Sequence, residues 1–216
     1  MPTADPSLAL RPDDLLLTAT ICREALSPAL ADDWRVAAGD LDWDCRRTLD
    51  HIADTLAFYA VHLATRATTR QIPLRNGDPA RSPTELLTVV DGTAAILAEV
   101  AHAAPPGTRA FHPAGMADTE GFVAMGCEEI LLHTADIAQG LVRPFQPPDD
   151  LTLRITRRLF PWAPGDVAPW AALRWAAGRA ALPDRSRLGP DWYWHCAPLS
   201  EWDGTITKRT APPAWT

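Results

Sequence analysis

Apolar positions recur at helical intervals through most of the first two thirds of the chain. After Pro12, Asp13 and Asp14, the stretch "LLLTATICREAL" repeats them at Leu16, Ile21 and Leu26, which predicts a first helix. A polar turn holding Trp34 and Trp43 leads to "RRTLDHIADTLAFYAVHLAT", where Ile52, Leu56, Tyr59 and Leu63 form a stripe and predict a second. Pro73, Asn76, Gly77 and Pro79 break the pattern. Ser82 and Glu85 then make a capping box before "LLTVVDGTAAILAEVAHAA", a third helix stopped by Pro105, Pro106 and Gly107. A fourth, "GFVAMGCEEILLHTADIAQGL", starts near Asp118 and Thr119 and stops at Gly140, ahead of Pro144. No segment in this part alternates like a strand.

Four helices of about 17 to 22 residues joined by breakers predict an all-α fold, an antiparallel four-helix bundle over roughly residues 10 to 142. In residues 143–216, "PPDDLTLRITRRLF" and "GDVAPWAALRWAAGRAAL" read as two short helices, and the end from Pro183 reads as Trp-rich coil. The late tryptophans are Trp162, Trp170, Trp175, Trp192, Trp194, Trp202 and Trp215. Such rings bury large areas, so this extension is expected to pack onto the bundle or onto a second subunit, as in a homodimer. A length of 216 residues suits one domain.

Composition narrows the function classes. The net charge of −7, with Lys208 the only lysine, gathers no basic patch and argues against nucleic acid as a partner. No run approaches the roughly 18 to 20 apolar residues of a membrane span, and the start lacks the charged and apolar regions of a secretion signal. The expected place is the cytoplasm. Cys22, Cys45, Cys127 and Cys196 lie far apart without a CxxC pair, so reduced cysteines are expected, with Cys22 in the core.

The fourth helix carries the candidate chemistry. Phe122, Met125, Glu129, His133 and Ile137 share one stripe, so two polar groups interrupt a core line. A buried carboxylate must be neutralised, paired or bound to a cation. A Glu and a His one turn apart can reach one metal ion together, and His51 on the second helix would complete three ligands across facing helices. Read without any resemblance, the pair also fits a solvated Glu and His, and His51 a core histidine. His62, His102, His112 and His195 have no partner spacing and read as surface or core residues.

The segments "WDCRRTLDHIADTLAFYAVHLA" and "GFVAMGCEEILLHTADIAQGL" resemble the two diagnostic helices of DinB/YfiT-like metalloenzymes, nearest to the mycothiol-dependent maleylpyruvate isomerase N-terminal-domain branch. On that pattern His51, Glu129 and His133 match the metal ligands, and Asp136 matches a recurrent acidic residue one turn on. Asp136 either holds a ligating imidazole in one tautomer or stands at the surface. Two His and one carboxylate suit zinc, and also Fe(II), Ni(II) or Mn(II). The resemblance implies a divalent metal, zinc first, and a mycothiol-like thiol as co-substrate, activated for transfer to, or isomerisation of, an electrophilic small molecule. The family's isomerase has a second domain for which this length leaves no room, which favours transfer. Arg46, Arg47, Arg143 and Arg174 are candidate clamps for a substrate carboxylate. Two rival functions are a hydrolase using metal-bound hydroxide and a non-enzymatic binding bundle stiffened by its ion.

Overall fold

The computed structural model describes residues 6–72 and 77–209. The opening residues 1–5, the breakers Pro73 and Asn76, and Trp215 lie outside the described residues. The fold is mostly helical, with four long helices: α1 (Asp13–Leu26), α2 (Cys45–Thr65), α3 (Pro83–Ala103) and α4 (Thr119–Gly140). Side chains at the N-termini fix three of these starts. Asp44 accepts the Arg47 backbone N–H, Ser82 and Glu85 form the reciprocal capping box, and Asp118 accepts the Gly121 N–H. Each cap of this kind stabilises its helix by about 1 kcal/mol.

Helix α2 lies against α3 and α4, and α1 lies against the same two, so the four close into a ring. Within it α4 is the most enclosed, every residue from Gly121 to Thr134 being buried. Gly126 explains how the ring closes on α4. A Cβ there would meet side-chain atoms of Leu15, Leu97 and Leu56 at 2.7, 3.1 and 3.2 Å, one from each other helix. Gly140 does the same for the loop before α2, since a Cβ would collide with the Ala37 carbonyl oxygen. That approach seats the loop carrying Trp43 beside the fourth helix. The helix stops at Gly140 as expected; just beyond it Val142 takes the left-handed conformation (φ 54) and the Arg143 N–H reaches the Ala138 carbonyl.

The expectation of no strand is corrected by a hairpin, β1 (Arg109–His112) paired antiparallel with β2 (Gly115–Asp118), Ala110 opposite Ala117 and His112 opposite Gly115. Its buried positions, Ala110, His112 and Ala117, carry almost no hydrophobic contrast, so no alternation marks it in the sequence. The Phe111 N–H ties β1 to the Ala67 carbonyl just after α2, and β2 runs straight into the Asp118 cap of α4. Although no unbroken apolar run of that length occurs, α3 is long and apolar enough, by length and composition, to cross a bilayer. Here its Leu86, Val90, Ala94 and Leu97 face is buried, and it packs on α1 and α2.

Two shorter helices follow, α5 (Asp149–Leu159) and α6 (Pro169–Ala176). The second is shorter than the sequence pattern, because the chain turns at Gly178, whose φ of +63° suits glycine. The segment of residues 177–209, irregular apart from two isolated bridges and a 3-10 turn at Leu199–Glu201, returns onto the bundle. Arg158, 2% exposed, anchors it by pairing with Asp118 and donating to the carbonyls of His195 and Cys196 at 3.2 and 3.4 Å. Trp170, Trp175 and Trp194 are buried in one apolar cluster that runs from Leu10 to Cys196. All four cysteines are free and buried, and burial pushes the Cys22 thiol up to about 11.

Candidate metal centre

The helix ring brings His51, Glu129 and His133 together. One ligand atom from each lies within 4.8 Å of the others. Glu129 Oε2 stands 3.1 Å from His133 Nε2, one turn along α4, and 3.6 Å from His51 Nε2, across on α2. A tetrahedral ion with bonds of about 2.0 to 2.1 Å holds its ligands roughly 3.3 Å apart, so the carboxylate-to-imidazole spacings fit a small divalent cation.

Each ligand is held from behind. Tyr59 donates to the other oxygen of Glu129 at 3.3 Å, leaving Oε2 turned toward the histidines. His133 Nδ1 meets Asp136 Oδ2 at 3.1 Å, and Asp136, itself buried, is paired with Arg179 at 3.1 Å. A carboxylate on Nδ1 fixes the tautomer that points Nε2 at an ion. His51 Nε2 has Thr55 Oγ1 at 3.3 Å, and its ring sits edge-on to Trp43 at 4.9 Å.

Electrostatics show how the group rests without an ion. Burial opposes charge on His133, but hydrogen bonds to Asp136 and Glu129 outweigh it and raise the imidazole to about 9. Burial likewise opposes charge on Glu129, yet its bonds to His133 and His51 hold it well below the usual carboxylate range. The ion-free group is therefore a proton-bridged pair, and a cation would take the place of that proton. Beside it, Glu128 is raised to about 8 by burial and by the Glu129 charge, and its Oε1 has no hydrogen-bond partner.

The group opens onto a cavity of about 380 Å³, within the range of small-molecule sites. Leu41 and Trp43 from the loop, Arg47 from the first turn of α2, and Arg179, Trp192 and Trp194 from the C-terminal part border it. Behind the group Tyr59, Phe122 and Trp194 surround His112 edge-on at 5.3 to 6.4 Å. Burial pushes His112 down to about 3, so it stays neutral.

Of the arginines singled out as clamps, Arg47 alone borders the cavity. Arg46 lies 3.7 Å from Asp50, and Arg143 pairs with Asp32 at 2.7 Å. Arg174 is on α6, away from the cavity lining. Sequence reading missed Tyr59, Arg179 and Arg209. Tyr59 follows His51 and Thr55 at four-residue steps on one face of α2, a signal that could have found it; Arg179 and Arg209 carry no local signal. The other histidines divide as surface or core: His62 is buried, with Nδ1 bonded to the Phe58 carbonyl, and His102 is exposed.

Replacing Asp136 with asparagine keeps the size but removes the charge behind His133. Zinc affinity, measured by competition with a chromophoric chelator, is expected to fall roughly 10- to 100-fold with helical content unchanged. An unchanged affinity would mean that Asp136 serves Arg179 alone. No family model, curated protein or solved structure matches this chain.

Proposed function

We propose that the chain is a metal-dependent enzyme of the DinB/YfiT-like kind: an antiparallel four-helix bundle that holds a divalent cation, zinc first, through His51, Glu129 and His133. In this reading it activates a low-molecular-weight, mycothiol-like thiol for transfer to, or isomerisation of, an electrophilic small molecule. The observation that carries it is a buried carboxylate facing two imidazoles from two helices at the floor of an open cavity. Three protein ligands leave a position free, the pattern of catalytic ions and not of closed structural ones.

When bound there, a divalent ion lowers the pKa of a thiol or water that reaches its free position. The chain's own residues do the rest. Tyr59 and Asp136 orient Glu129 and His133. Trp43, Trp192 and Trp194 wall the cavity, so that an apolar part of a substrate has rings to lie against. The protein's thiols supply no nucleophile, since burial holds Cys127 and Cys196 up to about 12.

The test is turnover of dimethyl maleate by the zinc-loaded protein with and without N-acetylcysteine or mycothiol. Addition of the thiol across the double bond gives the thioether; addition, rotation and expulsion of the same thiol gives the fumarate ester. Thiol-dependent formation of either product, abolished by EDTA and by His51→Ala, is the expected result. Ester hydrolysis at the same rate without thiol would replace this reading with the hydrolase, and no turnover by a fully loaded protein would overturn it.

A further inference from the structure

His112 closes β1 and is only 3% exposed. Its Nδ1 accepts the Ala114 backbone N–H at 3.0 Å within the hairpin turn. A ring nitrogen that accepts carries no proton, so the proton of this imidazole stands on Nε2, across the ring and away from the turn. That N–H has no hydrogen-bond acceptor among the described residues. A buried donor without a partner is rare enough to call for a ligand or a water. His112 borders a second cavity, of about 20 Å³, with Thr55, Tyr59, His51 and Glu129. This cavity lies behind the metal-ligand group, since His51, Glu129 and Trp194 border both it and the large cavity. Its space is enough for one water, which needs roughly 10 to 15 Å³, and too small for an organic molecule. The border also supplies the about two to four polar partners that a buried water takes. Tyr59 gives its O–H to Glu129 at 3.3 Å and keeps lone pairs to accept with, while Thr55 Oγ1 stands 3.3 Å from His51 Nε2.

We propose that one water molecule occupies this rear cavity, accepting the His112 Nε2–H and donating to the Tyr59 hydroxyl and the Glu129 carboxylate. His112 is then a positioning residue: through the water it helps to hold Glu129 where both imidazoles face it. The hairpin thereby gains a part in the site, because the turn that ties Nδ1 also aims Nε2. The effect on metal binding rests on reading Glu129 as a ligand, whereas the water site stands on the cavity and on His112 alone.

Crystal structures of the full chain, zinc-free and zinc-loaded, at a resolution that orders water test the site. The expected result is one ordered water at hydrogen-bond distance from His112 Nε2 and from Tyr59 or Glu129, in both forms alike. Chelator competition tests the positioning. His112→Phe, which fills the cavity, should weaken zinc binding about 10-fold, the low end for an outer partner of a ligand. His112→Gln, whose amide N–H can reach the same water, should recover most of that loss. Nε2 bonded directly to a protein group, or a well-ordered cavity without water, would overturn the proposal. So would a folded His112→Phe that binds zinc as tightly as the wild type, or a folded His112→Gln as weak as His112→Phe, since His112 would then act by packing alone. A wild type that holds the water and takes up no zinc would leave the site standing and remove the metal reading; zinc bound in front of a dry cavity would do the reverse.

Discussion

Exchanging Glu129 for glutamine is expected to lower zinc affinity by at least about 100-fold while the helices stay folded, since losing even an outer partner of a ligand costs 10- to 100-fold. Glu129 Oε2 is the atom that both imidazoles face. An amide keeps the volume, so the core should not collapse, but it brings little charge to a cation. The fold does not lean on the carboxylate: the apolar residues around it, Leu56, Phe122, Ile130 and Ile137, are fully buried. Chelator competition with far-ultraviolet circular dichroism on the same samples reads both effects. Undiminished zinc binding in Glu129→Gln would show that the ion, if present, sits elsewhere.

The second large effect lies away from the site. Arg158→Met should destabilise the protein by about 3 kcal/mol, the cost of removing one partner from a buried charge pair. In a chain of this size that is roughly 6 to 12 °C in melting temperature. Arg158 is nearly inaccessible, pairs with Asp118 at the cap of α4, and lies 3.5 Å from Glu120. It also holds the carbonyls of His195 and Cys196, so the segment carrying Trp192 and Trp194 should loosen first. Differential scanning calorimetry measures the shift. Thermal stability equal to that of the wild type would mean that the C-terminal segment is held by apolar packing alone.

The helices were legible because their ends carry chemistry: the Ser82 and Glu85 capping box and the Asp118 cap stand in the structure where the sequence placed them. The hairpin was not, since four-residue strands whose inward positions are alanine and histidine leave no periodic signal. The end of α4 at Gly140 was legible too, although the left-handed residue just past it is Val142, a β-branched residue poorly suited to that conformation, in place of glycine.

At the site, four-residue spacing on α4 put Glu129 and His133 on one face, but spacing alone left His51 open as a core histidine, and it was the resemblance that joined the three residues the structure brings together. The rest of the pocket is made by tertiary return of the chain. Arg179, Trp192, Trp194 and Arg209 reach the cavity from beyond α6, and no local pattern announces which residues of an irregular segment will do so. The depth of Asp136 was equally hidden: one turn past His133 it could have faced solvent, and its burial comes from Arg179 closing over it.

The most direct test is elemental analysis of the purified, dialysed wild-type protein, followed by titration of the EDTA-treated form with zinc. About one equivalent of a divalent metal, or uptake of one equivalent of zinc by a folded protein, is the predicted result. A well-folded wild type that carries no metal and takes up no zinc would contradict the assignment of His51, Glu129 and His133 as ligands, leaving the proton-bridged cluster as a structural element of the core.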